Sequence, residues 1–210
     1  MRIILFRHGP AEPRDAARWP DDLLRPLTER GIKRTRRAAR GIARLEPATS
    51  SVLTSPATRT LDTARLLSEA LHLGEPEPVQ ALAPGGSWRE TLVRLGREGA
   101  DTTVAIVGHE PDLGVLAATL LFSGDARALE FKKAGACAID CEAPEKGRGR
   151  LRWWLTPGAL RALRPRKRSA RRRSWPLPGP QRRRAGSSAA GLPAAEPGSV
   201  PRLEFAGAAR

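Results

Sequence analysis

Short aliphatic and β-branched runs recur along the first 164 residues, and longer segments between them return apolar residues at helical spacing. Arg2 to Phe6 (RIILF) is such a run, carrying one flanking charge, and reads as a buried strand. After a Pro-rich loop, Ile32, Ala39, Ile42 and Leu45 return at roughly helical spacing among many arginines. This predicts a helix from about Thr28, a plausible N-cap, to Leu45. Ser51 to Thr54 is a second strand, and Pro56 opens a helix running to about Leu71. Trp88 to Arg97 reads as a third helix, with Leu92 and Leu95 on one face. Thr103 to Val107 is the strongest strand signal in the chain, and Leu113 to Phe122 a largely buried helix. Gly135 to Asp140 and Leu151 to Leu155 are two closing strands joined by a charged turn, with a short helix, Ala159 to Leu163, after Pro157. Strands alternating with helices predict an α/β fold, a three-layer sandwich whose mainly parallel central sheet is flanked by helices.

Three of these strands end in polar, loop-forming segments: RHGP after Phe6, TSPATR after Leu53, and GHEPDL after Val107. Open α/β sheets bind ligands beyond the carboxyl ends of their strands. Two of the three histidines, His8 and His109, fall there together with Arg7 and Arg59, whereas His72 ends a helix. Each has an ordinary explanation. Arginine supplies 32 of the 37 basic residues, His109 suits a helix cap, and Arg59 a solvated first turn. Their joint placement at strand-to-helix junctions is what those explanations miss. Two imidazoles and two guanidiniums at one sheet edge make a site for a compact, highly charged anion, phosphate above all.

The net charge of +15 suggests a nucleic-acid binder until it is divided along the chain. Residues 165–210 hold 11 basic residues against two acids, Glu196 and Glu204, with seven prolines and five glycines. That stretch lacks apolar periodicity and is expected to be a disordered tail. Residues 1–164 carry 26 basic and 20 acidic residues and form the expected folded domain. The longest largely apolar run, Leu113 to Phe122, is half of what crosses a bilayer, and Ile3 to Phe6 is too short for a signal-peptide core. Cys137 and Cys141, four apart on one strand, are expected to be core thiols, and a reduced cytoplasmic location follows as the default.

The motifs RHG at 7–9, RPLTERG at 25–31, TSPATRT at 54–60 and VGHEPDL at 107–113, with FKKAGACAID at 131–140 and LRWWLTP at 151–157, resemble the histidine phosphatase (phosphoglycerate mutase-like) superfamily. Within it they are similar to the short SixA-like phosphohistidine phosphatases, over about residues 1–164 and none of the tail. The resemblance implies a nucleophilic His8 that becomes a transient phosphohistidine, with Arg7, Arg59 and His109 gripping the phosphoryl oxygens. It further implies phosphate contacts from Arg25 and Ser55, and no metal or cofactor. The chain departs from the pattern at Pro10, Asp62 and Glu110. Glu110, directly after the second histidine, is either a proton donor or an acid interacting with the following helix dipole. Glu90 is the other candidate acid.

With no well-defined acid, a good leaving group is favoured: imidazole from a phosphohistidine, or carboxylate from a mixed anhydride. The stretch from Leu71 to Asp101 holds one helix and a Gly85-Gly86 turn, too little for a deep sugar-phosphate pocket. The expected function is therefore a metal-independent phosphatase acting on a phosphohistidine-bearing protein. A small-molecule phosphomonoesterase of the same superfamily is the alternative. A polyanion or nucleic-acid binder acting through the tail is another, since residues 166–184 carry nine basic residues and no acid.

Overall fold

Strand β1 (Arg2–Arg7) has four completely buried central residues, Ile3 to Phe6, which face alternately to the two sides of the sheet. Burial on both faces is why the run is continuously apolar rather than alternating. The structure is a computed structural model that describes residues 1–122 and 129–163. The expected tail, 165–210, lies outside the described residues.

Along the chain follow α1 (Glu29–Leu45), β2 (Ser51–Thr54), α2 (Thr58–Leu71), β3 (Glu77–Pro78), α3 (Trp88–Leu95), β4 (Thr103–Gly108), α4 (Asp112–Leu121), β5 (Ala136–Asp140), β6 (Arg150–Leu155) and α5 (Pro157–Ala162). The sheet order is β3-β2-β4-β1-β5-β6. Strands β3, β2, β4 and β1 are parallel, β5 pairs antiparallel with β1, and β6 antiparallel with β5. On one face Ile3, Leu5, Leu53, Val104, Ile106 and Ile139 pack against α3, α4 and Phe131. On the other, Ile4, Phe6, Val52, Ala105 and Val107 meet α1, α2 and α5. This is the expected three-layer α/β sandwich, here with a mixed sheet. The helices after β1 and β2 thus cover one face and those after β3 and β4 the other. Such a reversal opens a crevice at the strands' carboxyl ends.

Local chemistry sets the element ends. Thr28 caps α1, its hydroxyl accepting from the Gly31 N–H, and Ser87 caps α3 by accepting from Glu90. Two helix starts differ from expectation. Helix α2 begins at Thr58 rather than at Pro56, because Ser55 Oγ accepts the Ala57 N–H and holds the preceding turn. Helix α5 begins at Pro157 itself, with Thr156 as its cap, because proline at the first helical position has no N–H to leave orphaned. Edge strand β3, two residues with a proline, gives no periodic signal and was not expected. Cys137 and Cys141 are both buried and free, and burial raises both thiols. Among the described residues no helix is long and apolar enough to cross a membrane.

Candidate active site

The neighbouring strands β2, β4 and β1 carry their loops side by side at one edge. Pairing continues past the strand ends: the His8 N–H donates to the Gly108 carbonyl and the Ser55 N–H to that of Val107, both at 3.1 Å. The main chains bearing His8, Ser55 and His109 are therefore fixed by the sheet. Helix α1 presses on the first loop. A Cβ on Gly9 would stand 2.0 Å from Thr35 Oγ1, and one on Gly31 would stand 2.0 Å from the Pro10 carbonyl oxygen. Only glycine fits at either contact. Thr63 of α2 completes the support, its hydroxyl accepting from the Gly9 N–H at 3.0 Å.

His8 is 5% exposed, and its Nδ1 lies 2.7 Å from its neighbour Gly9's carbonyl oxygen. A carbonyl only accepts, so Nδ1 carries the proton and Nε2 keeps its lone pair. Burial pushes the His8 pKa down to about 3; the Gly9 carbonyl opposes this, and the charges of Arg59, Arg7 and Lys133 add to it. His109, also buried, sits 5.3 Å away ring to ring, with Nε2 2.8 Å from Ser55 Oγ. Its pKa likewise falls to about 3, through burial first, then Arg59 and His8. Both rings are neutral at pH 7.

The two arginines are held in similar ways. Arg7, half-buried, donates through Nη1 to the Phe131 carbonyl. Arg59, 3% exposed, donates through Nη1 to the Asp22 carbonyl at 2.6 Å and pairs through Nη2 with the Asp22 carboxylate at 3.1 Å. In each, Nε is buried and has no hydrogen-bond partner among the described residues. Buried donors are nearly always satisfied. Two unsatisfied guanidinium N–H groups, in arginines whose charges act on the His8 ring, are what an anion site looks like.

The other expected residues differ in how they are held. Arg25 is buried, and it is held by Asp22, the acid that also holds Arg59. Arg25 Nε and Nη2 lie on the Asp22 carboxylate at 2.8 and 3.4 Å, and its Nη1 on the Glu12 carbonyl. Glu110 is half-buried, and burial raises its pKa. Its Oε1 accepts the Phe131 N–H at 3.0 Å, so it holds the loop whose carbonyl holds Arg7. Glu90 is exposed in the first turn of α3, with no side-chain hydrogen bond or ion pair among the described residues. Sequence reasoning missed Asp22, Thr63 and the Phe131 peptide. Nothing in local spacing marks them, since their partners lie 37, 54 and 124 residues away.

The concavity beside His109 is small, about 170 Å³, and mostly apolar, with Leu82, Trp88, Leu113 and Leu116 among its walls. A larger open groove, about 1090 Å³, lies at the opposite sheet edge among Arg2, Asp140 and Glu145, away from both histidines.

Residues 3–83 match the family described as the histidine phosphatase superfamily, branch 1. An uncharacterised protein of Picosynechococcus sp. is 39% identical over 141 residues, 66% of this chain and 84% of that protein. A protein histidine phosphatase SixA complexed with tungstate superposes with a TM-score of 0.66 at 25% identity, covering 76% of this chain and 99% of that one. At lower identity the fold alone is shared. A structure assigned as a SixA phosphohistidine phosphatase from Agrobacterium tumefaciens gives a TM-score of 0.61 at 21%, over 74% and 97% of the two chains. A mycobacterial glucosyl-3-phosphoglycerate phosphatase with inorganic phosphate gives 0.59 at 19%, over 74% and 98%. With the mixed sheet, the paired histidines and the RHG strand end already described, the chain belongs to the histidine phosphatase superfamily and is a SixA-like phosphatase.

Proposed function

We propose that the chain is a phosphohistidine phosphatase acting on a phosphorylated protein through a phosphohistidine intermediate on His8. The observation that carries this reading is the His8 ring: buried, neutral, held through Nδ1 by Gly9, with the Nε2 lone pair beside the charges of Arg7 and Arg59. In the first step Nε2 bonds to phosphorus while the P–N bond of the substrate breaks. The substrate imidazole leaves with its electron pair and takes a proton from water. In the second step water attacks phosphorus, and His8 leaves as the neutral imidazole with its proton still on Nδ1, donated to the Gly9 carbonyl. Arg7, Arg59 and His109 stabilise the equatorial oxygens, where preorganised donors do most of the work in phosphoryl transfer.

The acids support the choice of leaving group. Glu110 is engaged with the Phe131 peptide, and Glu90 is exposed without a partner among the described residues, which suits an imidazole better than an alkoxide. The concavity beside His109 offers few side-chain donors for sugar hydroxyls, which favours a protein substrate over a sugar phosphate. Residues 1–164 form the catalytic unit, and the basic 165–210 segment is accessory, with polyanions as its ligands.

The test is brief exposure to a labelled phosphohistidine protein followed by an alkaline quench. Label should remain on the parent, be labile in acid, and be absent from His8→Ala, whose turnover should fall by about 10⁴-fold or more. Label on another residue, or an active His8→Ala, overturns the mechanism. Faster turnover of a sugar phosphate than of phosphohistidine would move the assignment to a small-molecule phosphatase.

A further inference from the structure

The segment Pro20-Asp21-Asp22-Leu23-Leu24-Arg25 reads as a solvated turn, yet its two aspartates do different work. Asp21 caps a short 3₁₀ turn, its Oδ1 accepting the Leu23 N–H at 2.8 Å. Asp22 faces the arginines. Its carboxylate takes Arg25 Nε at 2.8 Å and Arg59 Nη2 at 3.1 Å, with Arg14 Nε farther off at 3.7 Å, while its main-chain carbonyl takes Arg59 Nη1 at 2.6 Å. Arg25 and Arg59 are both almost fully buried. Among the described residues Asp22 is the one acid ion-paired to either of them.

Resting on the phosphoryl-transfer reading above, we infer that Asp22 is a positioning residue for Arg59. It holds the guanidinium by its two terminal nitrogens so that the Nε edge is presented to the transferring phosphoryl group. A guanidinium is planar, so two contacts on Nη1 and Nη2 fix its plane as well as its place. Both contacts come from one residue, one from its main chain and one from its side chain. The unpartnered, buried N–H of Arg59 is on the remaining side edge. Asp22 also supplies the countercharge that lets two buried cations stand close together. Three guanidiniums share that single carboxylate, so the surroundings keep a net positive charge and an incoming phosphoryl group is still attracted. The opposite arrangement, Asp22 as a stand-in for substrate that must swing out before phosphate binds, predicts the reverse kinetics.

The experiment compares the parent with Asp22→Asn, Asp22→Glu and Asp21→Asn in the full chain. The substrate is a histidine peptide phosphorylated with phosphoramidate, and inorganic phosphate serves as product inhibitor. Positioning matters most in the transition state. Asp22→Asn should therefore lower kcat and the rate of label appearance on His8 by about 10–100-fold. KM and the phosphate inhibition constant should stay within about threefold. Asp22→Glu, which keeps the carboxylate, should recover at least part of the loss, and Asp21→Asn, which keeps a capping oxygen, should behave as the parent. An Asp22→Asn protein with unchanged kcat, or one that is faster and binds phosphate more tightly, overturns the inference. If Asp22→Asn does not fold, Asp22→Glu at the Arg59→Met rate overturns it as well. The two failures are separable. No acid-labile label on the parent means that the phosphoryl-transfer reading is wrong. Label on the parent, formed equally fast in Asp22→Asn, means that only the role of Asp22 is wrong.

Discussion

Arg2 opens β1 and Arg7 closes it, so one strand carries a guanidinium at each edge of the sheet. At the first edge Arg2 meets Asp140 at 2.6 Å and Glu46 at 2.7 Å. Arg152 reaches the same two acids, and the Trp153 indole donates to Glu46 at 2.8 Å. Two arginines answer two carboxylates, and Arg2 is made more basic, chiefly by its hydrogen bond to Asp140. At the other edge Arg14, Arg25 and Arg59 share Asp22 as their one acid among the described residues, Arg7 has a peptide carbonyl, and burial lowers the pKa of Arg59. The closed network is structural glue, whereas the cation-rich edge is short of an anion. In a chain this rich in arginine, the balance of partners separates function from packing, and the count of guanidiniums or the size of a groove does not.

Swapping each arginine for methionine, which keeps most of the volume, tests that contrast. Arg59→Met should cost about a hundred- to thousandfold in kcat/KM, with little loss of stability, since a buried cation in a surplus is removed. Arg2→Met should do the reverse. It leaves Glu46, whose side chain is 5% exposed, without its closest cation, and stability should drop by about 3 kcal/mol with kcat per folded molecule unchanged. Denaturant melts and kinetics on the same preparations decide, and exchanged outcomes would break the comparison.

Acid should act on the cation-rich edge through the histidines. His8 and His109 ordinarily titrate near 6.5 but stand at about 3 when folded. As pH falls below 6.5 the unfolded chain takes up protons that the native chain refuses, so stability declines from there down to about 3. Between pH 7.5 and 5 the cost is about 2 kcal/mol per ring. A His8→Ala, His109→Ala double variant should lose that slope in urea melts, and an undiminished slope would place its origin elsewhere. The smallest effect belongs to Glu90→Gln, which should change turnover of phosphohistidine by less than about twofold; a larger fall would restore this acid as a proton donor.

The strands and the residues at their ends were legible because burial on both sheet faces forces continuous apolar runs, and because His8, Arg59 and His109 stand at junctions those runs define. Asp22 was not legible. Its meaning depends on Arg59, 37 positions away, and an Asp-Asp pair in a proline-rich loop has the composition of any solvated turn. Arg25 was read as touching phosphate from its motif, which does not show that the Asp22 carboxylate also holds it. Glu110 was left between acid and dipole partner, and its geometry depends on Phe131, across the segment 123–128 that lies outside the described residues.

The placement of β1 also sets two clocks. Its main chain is hydrogen-bonded along both edges, to β4 and β5, and its four central residues exclude water entirely. Those amides should exchange with deuterium only when the whole domain opens, so the proposed nucleophile, His8, is mounted on the slowest-exchanging part of the molecule. Asp22 sits in a surface loop outside the sheet, whose one β-bridge is Ala11 to Leu27, and should exchange sooner. Each local opening of that loop would release Arg59 while leaving His8 in place. Such a protein would pass through brief, reversible silences, in which it stays folded and able to meet its substrate but cannot turn it over.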